Sequence, residues 1–200
     1  DATQQPPPPL DWLILTAANR AQARGYEAQL RAREAAGSLR ACTRWLVVPD
    51  ARDRRVGSGG STFAVLFELA RRLARQNRGA ASFTDLFTSQ RILIIHSGGD
   101  SRRLPAYAAQ GKIFTPLPCD TADGQEADLF DLVLEDLLAV PLPETGRVLI
   151  ASGDVMLGVA RHRPRVDAPG VVGVAFPTEP ERGSRHGVFV CDPLGRVTDF

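Results

Sequence analysis

The sequence predicts an α/β protein built on a doubly wound, mostly parallel sheet. Short apolar runs of strand length alternate with helix-prone stretches, and glycine-rich turns follow several of those runs. A strand that is apolar on both faces needs a covered sheet, and helices packed on both faces supply the cover.

The elements follow in order. Residues 1–10, with four consecutive prolines at Pro6 to Pro9, read as a linker or tail, because a proline run favours polyproline II and blocks ladder pairing. Trp12 to Thr16 is a buried-type strand, followed by a helical run from Asn19 to Ala36 that stops near Gly37. Trp45 to Val48 is the second strand. Phe63 to Gln76 is a helix, its apolar residues at 63, 66, 67, 70, 73 and 74 forming one face. Arg91 to His96 is the third strand. A long loop through Gly98, Gly99, Pro105, Gly111, Pro116 and Pro118 leads to a helix at Ala127 to Ala139. Arg147 to Ala151 and Val171 to Phe176 are the fourth and fifth strands. Gly187 to Phe200 reads as a hairpin turning at Asp192-Pro193-Leu194-Gly195.

Composition narrows the function classes. Among 200 residues, 24 basic and 23 acidic side chains leave a formal charge of +1, so no chain-wide field holds nucleic acid or an anionic bilayer. No stretch approaches the roughly 18 to 20 apolar residues of a membrane span. Cys42, Cys119 and Cys191 are odd in number and widely spaced, which supports neither a disulfide framework nor a thiolate zinc site and makes a reducing cytoplasm the expected compartment. Lys112 is the one lysine beside 23 arginines. A position that keeps lysine in so arginine-rich a chain is a candidate for a specific role.

In an open parallel sheet the ligand crevice lies beyond the carboxyl ends of the strands. Gly57-Ser58-Gly59-Gly60-Ser61-Thr62 comes shortly after the second strand, Ser97-Gly98-Gly99-Asp100-Ser101-Arg102-Arg103 directly after the third, and Ser152-Gly153-Asp154 after the fourth. Glycines let backbone N–H groups approach an anion, and a helix N-terminus adds the positive end of its dipole. One edge of the sheet is therefore expected to suit phosphates and a divalent metal. Each element also has a plain structural reading: a flexible turn with Ser61 or Thr62 capping the helix, a solvated Arg102–Arg103 pair, Asp154 capping a turn, and Lys112 at the surface. Gly57 to Thr62 is neither a dinucleotide fingerprint, which needs glycine where Thr62 stands, nor a Walker A loop, whose Gly-Lys-Ser/Thr ending is absent. A Gly-x-Ser-x-Gly elbow is also absent, and His96, His162 and His186 lack metal-ligand spacing and read as structural.

Ser97 to Pro105 followed by Gly111-Lys112 resembles the motif of sugar-1-phosphate nucleotidyltransferases, Gly-Gly-x-Gly-Thr-Arg-Leu with a later Pro-Lys. Ser101 stands where that motif has glycine, and Gly111 where it has proline. Arg55 to Thr62, Ile94 to Pro105 and Gly111 to Pro118 are together similar to one branch, the GDP-fucose pyrophosphorylase and bifunctional fucokinase/fucose-1-phosphate guanylyltransferase proteins, over roughly residues 11 to 200. The resemblance implies a Rossmann-like, GT-A-like sheet. It makes Arg103 the residue that grips the triphosphate, with Arg102 beside it, Lys112 a contact to phosphate oxygens, and Asp154 a ligand of Mg²⁺. Gly57, Ser58, Gly59, Gly60, Ser61, Thr62, Gly98, Gly99 and Ser101 become the nucleotide-binding turns. GTP and L-fucose 1-phosphate are the implied substrates, GDP-L-fucose and pyrophosphate the products. The strand pair near the end resembles one that runs into a Lys-Pro turn, so further site residues are expected beyond residue 200, and the bifunctional members of the branch leave open a linked kinase domain there. The alternatives are another sugar-1-phosphate nucleotidyltransferase and a non-catalytic nucleotide-sugar-binding module.

The residue types suit that chemistry. The second pKa of a phosphate monoester is about 6, so the attacking sugar-phosphate oxygen is ionised near neutrality without a general base. Positioning two anions and neutralising their charge is what remains for the protein to do.

Overall fold

The computed structural model describes residues 10–39, 42–51, 54, 56–76, 82–99, 105–107, 110–121, 124–140, 146–156, 158, 166, 170–184 and 186–200. The Pro6–Pro9 run, His162 and the segment Asp100 to Leu104, which holds Ser101, Arg102 and Arg103, lie outside them. The chain divides into two units, Asp1–Arg163 and Pro164–Phe200.

The first unit is organised by β1 (Leu10–Ala17), whose Leu13, Ile14 and Leu15 are fully buried. Alternate side chains of a strand point to opposite faces, so an unbroken apolar run is stable only between two layers. Leu13 and Leu15 enter one core with Ala23, Tyr26 and Leu30 of α1 (Arg20–Ala36) and with Phe130, Val133 and Leu137 of a later helix. Trp12 and Ile14 enter the other with Val65, Leu69 and Leu73 of α2 (Gly57–Gln76). The sheet is β2-β1-β3-β6 in order, with β2 at Cys42–Pro49, β3 at Arg91–His96 and β6 at Arg147–Ser152, and every pairing is parallel. The expected doubly wound arrangement of a parallel sheet is present.

Local chemistry sets the helix ends. Asn19 caps α1 by accepting from the Gln22 N–H, and the Gly37 N–H closes it onto the Arg33 and Glu34 carbonyls. The helix expected from Ala127 instead begins at Leu129: α4 (Leu129–Leu138) is capped by Asp128, which exchanges hydrogen bonds with Asp131 in a capping box. Ala127 and Asp128 belong to β5 (Glu126–Asp128), which pairs antiparallel with β4 (Pro116–Asp120). This ribbon lies within the segment expected as a long loop, and its Pro116 and Pro118 are tolerated because a two-stranded ribbon has two free edges that need no donor. A short helix, α3 (Phe83–Phe87), precedes β3 and has no counterpart in the expected elements.

In the second unit, α5 (Pro180–Gly183) is a single turn, and β7 (Val190–Cys191) pairs antiparallel with β8 (Val197–Asp199). The expected hairpin is present. Asp192 organises its turn: Oδ1 accepts from the Leu194 and Arg196 N–H groups, Oδ2 accepts from Arg196 Nε, and Gly195 sits at φ 77°. Those bonds, the backbone one from Arg196 foremost, hold the Asp192 carboxyl below its usual range. The fifth strand expected at Val171 to Phe176 is not formed. Val171, Val174 and Phe176 are exposed and Val172 is half-buried, and an apolar run makes a strand only where a partner supplies the ladder.

Candidate functional site

The chain passes from β1 through α1 to β2 on one side, then through α2 back across β1 to β3. Those two helices cover opposite faces, which makes the carboxyl ends of β1 and β3 the topological switch point where such sheets open a crevice. The loops leaving these strands are tied together. Ser97 Oγ donates to the Thr16 carbonyl at 2.8 Å. The buried Gln22 amide accepts from the Ala18 N–H at 2.8 Å and donates to the Gly99 carbonyl at 3.2 Å. Gly98 lies so close to this crossing that a Cβ would stand 3.0 Å from Ala18 N and 3.1 Å from Ala17 C. Glycine here serves the approach of two backbones.

In its plain structural reading Gly57 to Thr62 is a turn ahead of a helix, with Ser61 or Thr62 as its cap. It forms the first turns of α2 instead, and neither hydroxyl caps: Ser61 Oγ donates to Asp50 Oδ1 at 2.7 Å, and Thr62 Oγ1 donates back to the Ser58 carbonyl at 3.0 Å. Three glycines cost this end on the order of 1 kcal/mol each relative to alanine. Packing of Val65, Leu69 and Leu73 against the sheet offsets that cost, since most helical stability in proteins is tertiary. The first four N–H groups of the helix, Gly57 to Gly60, have no intrahelical acceptor and lie at the positive end of its dipole.

A cavity of about 450 Å³ opens at this point, lined by Ser58, Gly59, Thr62, His96, Ile150, Ala151 and Ser152. Its walls are thus α2, β3 and β6. Of the glycine-run residues, Ser58, Gly59 and Thr62 line it, while Ser61 is buried against Asp50.

Lys112 and Asp154, 42 positions apart, meet beside the cavity with Nζ 3.8 Å from Oδ2. Asp154 Oδ1 accepts from Ser152 Oγ at 2.6 Å, which joins the pair to the cavity wall. Lys112 opens a 3-10 turn, Lys112–Phe114, whose next two side chains, Ile113 and Phe114, are buried. With those two in the core, the lysine stem leaves the turn toward the edge. Gly111 makes that turn: its φ is 79° and ψ 146°, and a Cβ would lie 2.2 Å from Tyr26 Oη. Proline, fixed near φ −65°, cannot take this conformation, so the departure from the common Pro-Lys motif has a local cause. The fully buried Tyr26 donates its hydroxyl to the Ser97 carbonyl at 2.8 Å, and burial raises its pKa well above the usual phenol value.

Behind the turn, Arg33 lies 5.1 and 5.2 Å from the ring centres of Phe114 and Phe130 and pairs with Asp128 and with Asp131, the latter at 3.2 Å. Burial pushes the Asp128 carboxyl up to about 6, while Arg33 pulls it down and Asp131 adds to the rise. This cluster fastens α1, the Lys112 turn and α4 to one another.

Tyr26, Gln22, Asp50 and Arg33 were not among the residues expected at the site, and His96 was read as structural. Tyr26 carried a signal, being the one aromatic residue of α1. His96 is on the cavity wall, His186 is exposed, and no group of three or more His, Cys, Asp or Glu gathers among the described residues. The three cysteines are free, and no helix among the described residues is long and apolar enough to cross a membrane.

The family model described as "Fucose pyrophosphorylase domain" matches residues 84–199. The chain belongs to the fucose pyrophosphorylase family. It is 31% identical over 198 residues to a bifunctional fucokinase/GDP-fucose pyrophosphorylase of Arabidopsis thaliana, covering 92% of this chain and 19% of the plant protein. It is 32% identical over 187 residues to a fucose-1-phosphate guanylyltransferase of Homo sapiens, covering 92% and 29%. An L-fucokinase/L-fucose-1-P guanylyltransferase of Bacteroides fragilis is 31% identical over 155 residues, 75% of this chain and 16% of that protein. The chain thus spans less than a third of each of these fucose pyrophosphorylase relatives. No solved structure matches it at a significant level.

Proposed function

We propose that this chain forms the nucleotide-binding part of a guanylyltransferase that joins GTP and L-fucose 1-phosphate into GDP-L-fucose and pyrophosphate, on a nucleotidyltransferase sheet of the Rossmann-like, GT-A-like type. The observation that carries the reading is the meeting of Lys112 and Asp154 beside a cavity walled by the first turn of α2. Fucose and guanine come from the printed names of the relatives.

Ser58 and Gly59 line the cavity at a helix N-terminus, where backbone amides suit a phosphate oxygen. Lys112 supplies a cation as negative charge passes to the leaving pyrophosphate, a task that preorganised positive groups perform without reorganisation. Arg103, with Arg102 beside it, takes the triphosphate grip in this reading. In this reading the protein's main task is to bring the sugar-phosphate oxygen and the α-phosphorus into line, which is where most of the acceleration arises. A magnesium ion suits the donors present. Asp154 offers a hard, 60% exposed carboxylate, and Mg²⁺ is commonly held by one or two carboxylates with the remaining positions filled by phosphate and water. When bound it neutralises phosphate charge. Within this reading the protein acts in the cytoplasm on small anionic substrates, with no nucleic acid or membrane as partner.

The test is pyrophosphate release by the full-length protein from GTP and L-fucose 1-phosphate, run beside other nucleoside triphosphates and sugar 1-phosphates. Turnover restricted to the fucose and guanine pair supports the proposal; turnover on a different pair moves it to another sugar-1-phosphate nucleotidyltransferase, and none on any pair leaves a binding module. The plant and Bacteroides relatives are named for a fucokinase as well, so the same protein assayed with L-fucose and ATP shows whether it carries a linked kinase.

A further inference from the structure

His96 ends β3 on the cavity wall, half-buried, and both ring nitrogens meet hydroxyls. Nδ1 lies 3.3 Å from Thr16 Oγ1 and Nε2 lies 2.9 Å from Thr62 Oγ1. Counting protons gives the direction of these bonds. The Thr62 hydroxyl has one hydrogen and donates it to the Ser58 carbonyl, so its oxygen receives from the ring and Nε2 carries the proton. In a neutral imidazole Nδ1 is then the acceptor, and the Thr16 hydroxyl donates to it. The relay Thr16 to His96 to Thr62 to Ser58 therefore runs from the buried end of β1, across β3, to the first turn of α2.

This relay joins the two glycine-rich elements of the site. Ser58 and Gly59 line the cavity from α2, and β3 leads from His96 directly into Gly98 and Gly99. The first turn of α2 holds three glycines, whose backbone is the least restricted of any residue, so its placement depends on what grips it from outside. Ser61 on Asp50 is one grip, and Thr62 on His96 is the other.

We infer that His96 is a positioning residue: as its neutral Nε2–H tautomer it pins the glycine turn of α2 to the end of β3 and thereby sets the affinity of the site for a nucleoside triphosphate. This rests on the guanylyltransferase reading and adds a determinant of its nucleotide binding. Burial lowers the pKa of the ring, and Asp50, at the end of β2, acts in the opposite direction. Among the described residues β1, α2 and β6 face the ring with uncharged groups, the hydroxyls of Thr16 and Thr62 and the cavity-lining Ser152. Protonation turns Nδ1 into a donor opposed to a hydroxyl that was itself donating, and Thr16, buried, must turn its proton away.

The experiment compares full-length wild type, His96→Gln and His96→Leu, with GTP binding by calorimetry and kcat and KM measured between about pH 5.5 and 8. Glutamine keeps a donor toward Thr62 and does not titrate in this range, while leucine has none. At the alkaline end His96→Leu weakens GTP binding and raises its KM about tenfold with kcat within about threefold, and His96→Gln stays near wild type. Toward the acid end wild type loses affinity beyond the loss seen in His96→Gln, since titration of GTP itself is common to both. Leucine binding as wild type does, or glutamine failing as leucine does, overturns the inference. If His96→Leu does not fold, the pH profile decides: the same acid loss in wild type and His96→Gln overturns it. Wild type that binds no GTP overturns both this inference and the guanylyltransferase reading, whereas normal GTP binding insensitive to residue 96 overturns this inference alone.

Discussion

Replacing Gly111 by alanine tests how the Lys112 turn is built. Two costs add. The backbone there, φ 79° and ψ 146°, is close to a region that glycine alone occupies readily, and holding a residue with a Cβ in it costs about 1 to 3 kcal/mol. The new Cβ would also lie 2.2 to 2.5 Å from Oη, Cε1 and Cζ of Tyr26, well inside contact distance. Tyr26 is fully buried, so it can yield only by overpacking its surroundings or releasing the Ser97 carbonyl, at about another 1 to 3 kcal/mol. The sum is about 2 to 6 kcal/mol, which for a protein of this size lowers Tm by on the order of 10 °C. Urea unfolding of the full chain followed by circular dichroism measures it, with Tyr26→Ala and the double variant completing the cycle. Tyr26→Ala removes the obstructing ring but leaves the backbone strain, so the double variant should be more stable than additivity allows by at least about 1 kcal/mol. A Gly111→Ala loss below about 1 kcal/mol, or costs additive within about 0.5 kcal/mol, refutes the account of the turn.

Further predictions concern the charges. Lys112→Ala and Arg103→Ala should each lower kcat of the full-length enzyme by about two orders of magnitude or more with an unchanged circular dichroism spectrum; activity within about threefold of wild type rejects the role assigned to that residue. Asp154→Asn should shift the magnesium titration of activity to higher concentration, and an unchanged titration removes Asp154 as a ligand. Arg33→Leu leaves Asp128 and Asp131 without their cation and should cost about 3 to 5 kcal/mol near neutral pH. The Asp128 carboxyl, pushed up to about 6 from 3.8, favours the folded state most fully below its unfolded pKa and loses that contribution as the pH rises through 6. Removing the pull of Arg33 raises it further, so the loss measured by urea unfolding should be larger at about pH 7.5 than at about pH 5. An equal loss at both pH values contradicts the pairing.

The layered sheet, and the edge where the candidate residues Lys112 and Asp154 meet, are legible in the amino-acid order. Leu13-Ile14-Leu15 and Ile92 to Ile95 could be stable only between two apolar layers, and the helices that cover them are spelled out by their own periodicity and by Asn19 and Gly37. Lys112 is a candidate as the one lysine of the chain and Asp154 from its place after the fourth expected strand, and the fold brings them together. Val171 to Phe176 shows the limit of that reasoning: its apolar run has the length and composition of a strand, but a strand is a pairing and its partner is not written in the segment. Tertiary structure alone decided that Gly57 to Thr62 winds into α2, because packing of the helix on the sheet outweighs the local preference of glycine for a turn. It alone decided why Gly111 is glycine, since the obstacle is Tyr26, distant in sequence, and why His96 meets Thr16 and Thr62. Periodicity and capping act between residues a few positions apart and can be read from their order. Contacts that place a phenol against a glycine or an imidazole between two hydroxyls join distant segments, and they exist only once burial of the apolar faces has brought those segments into register.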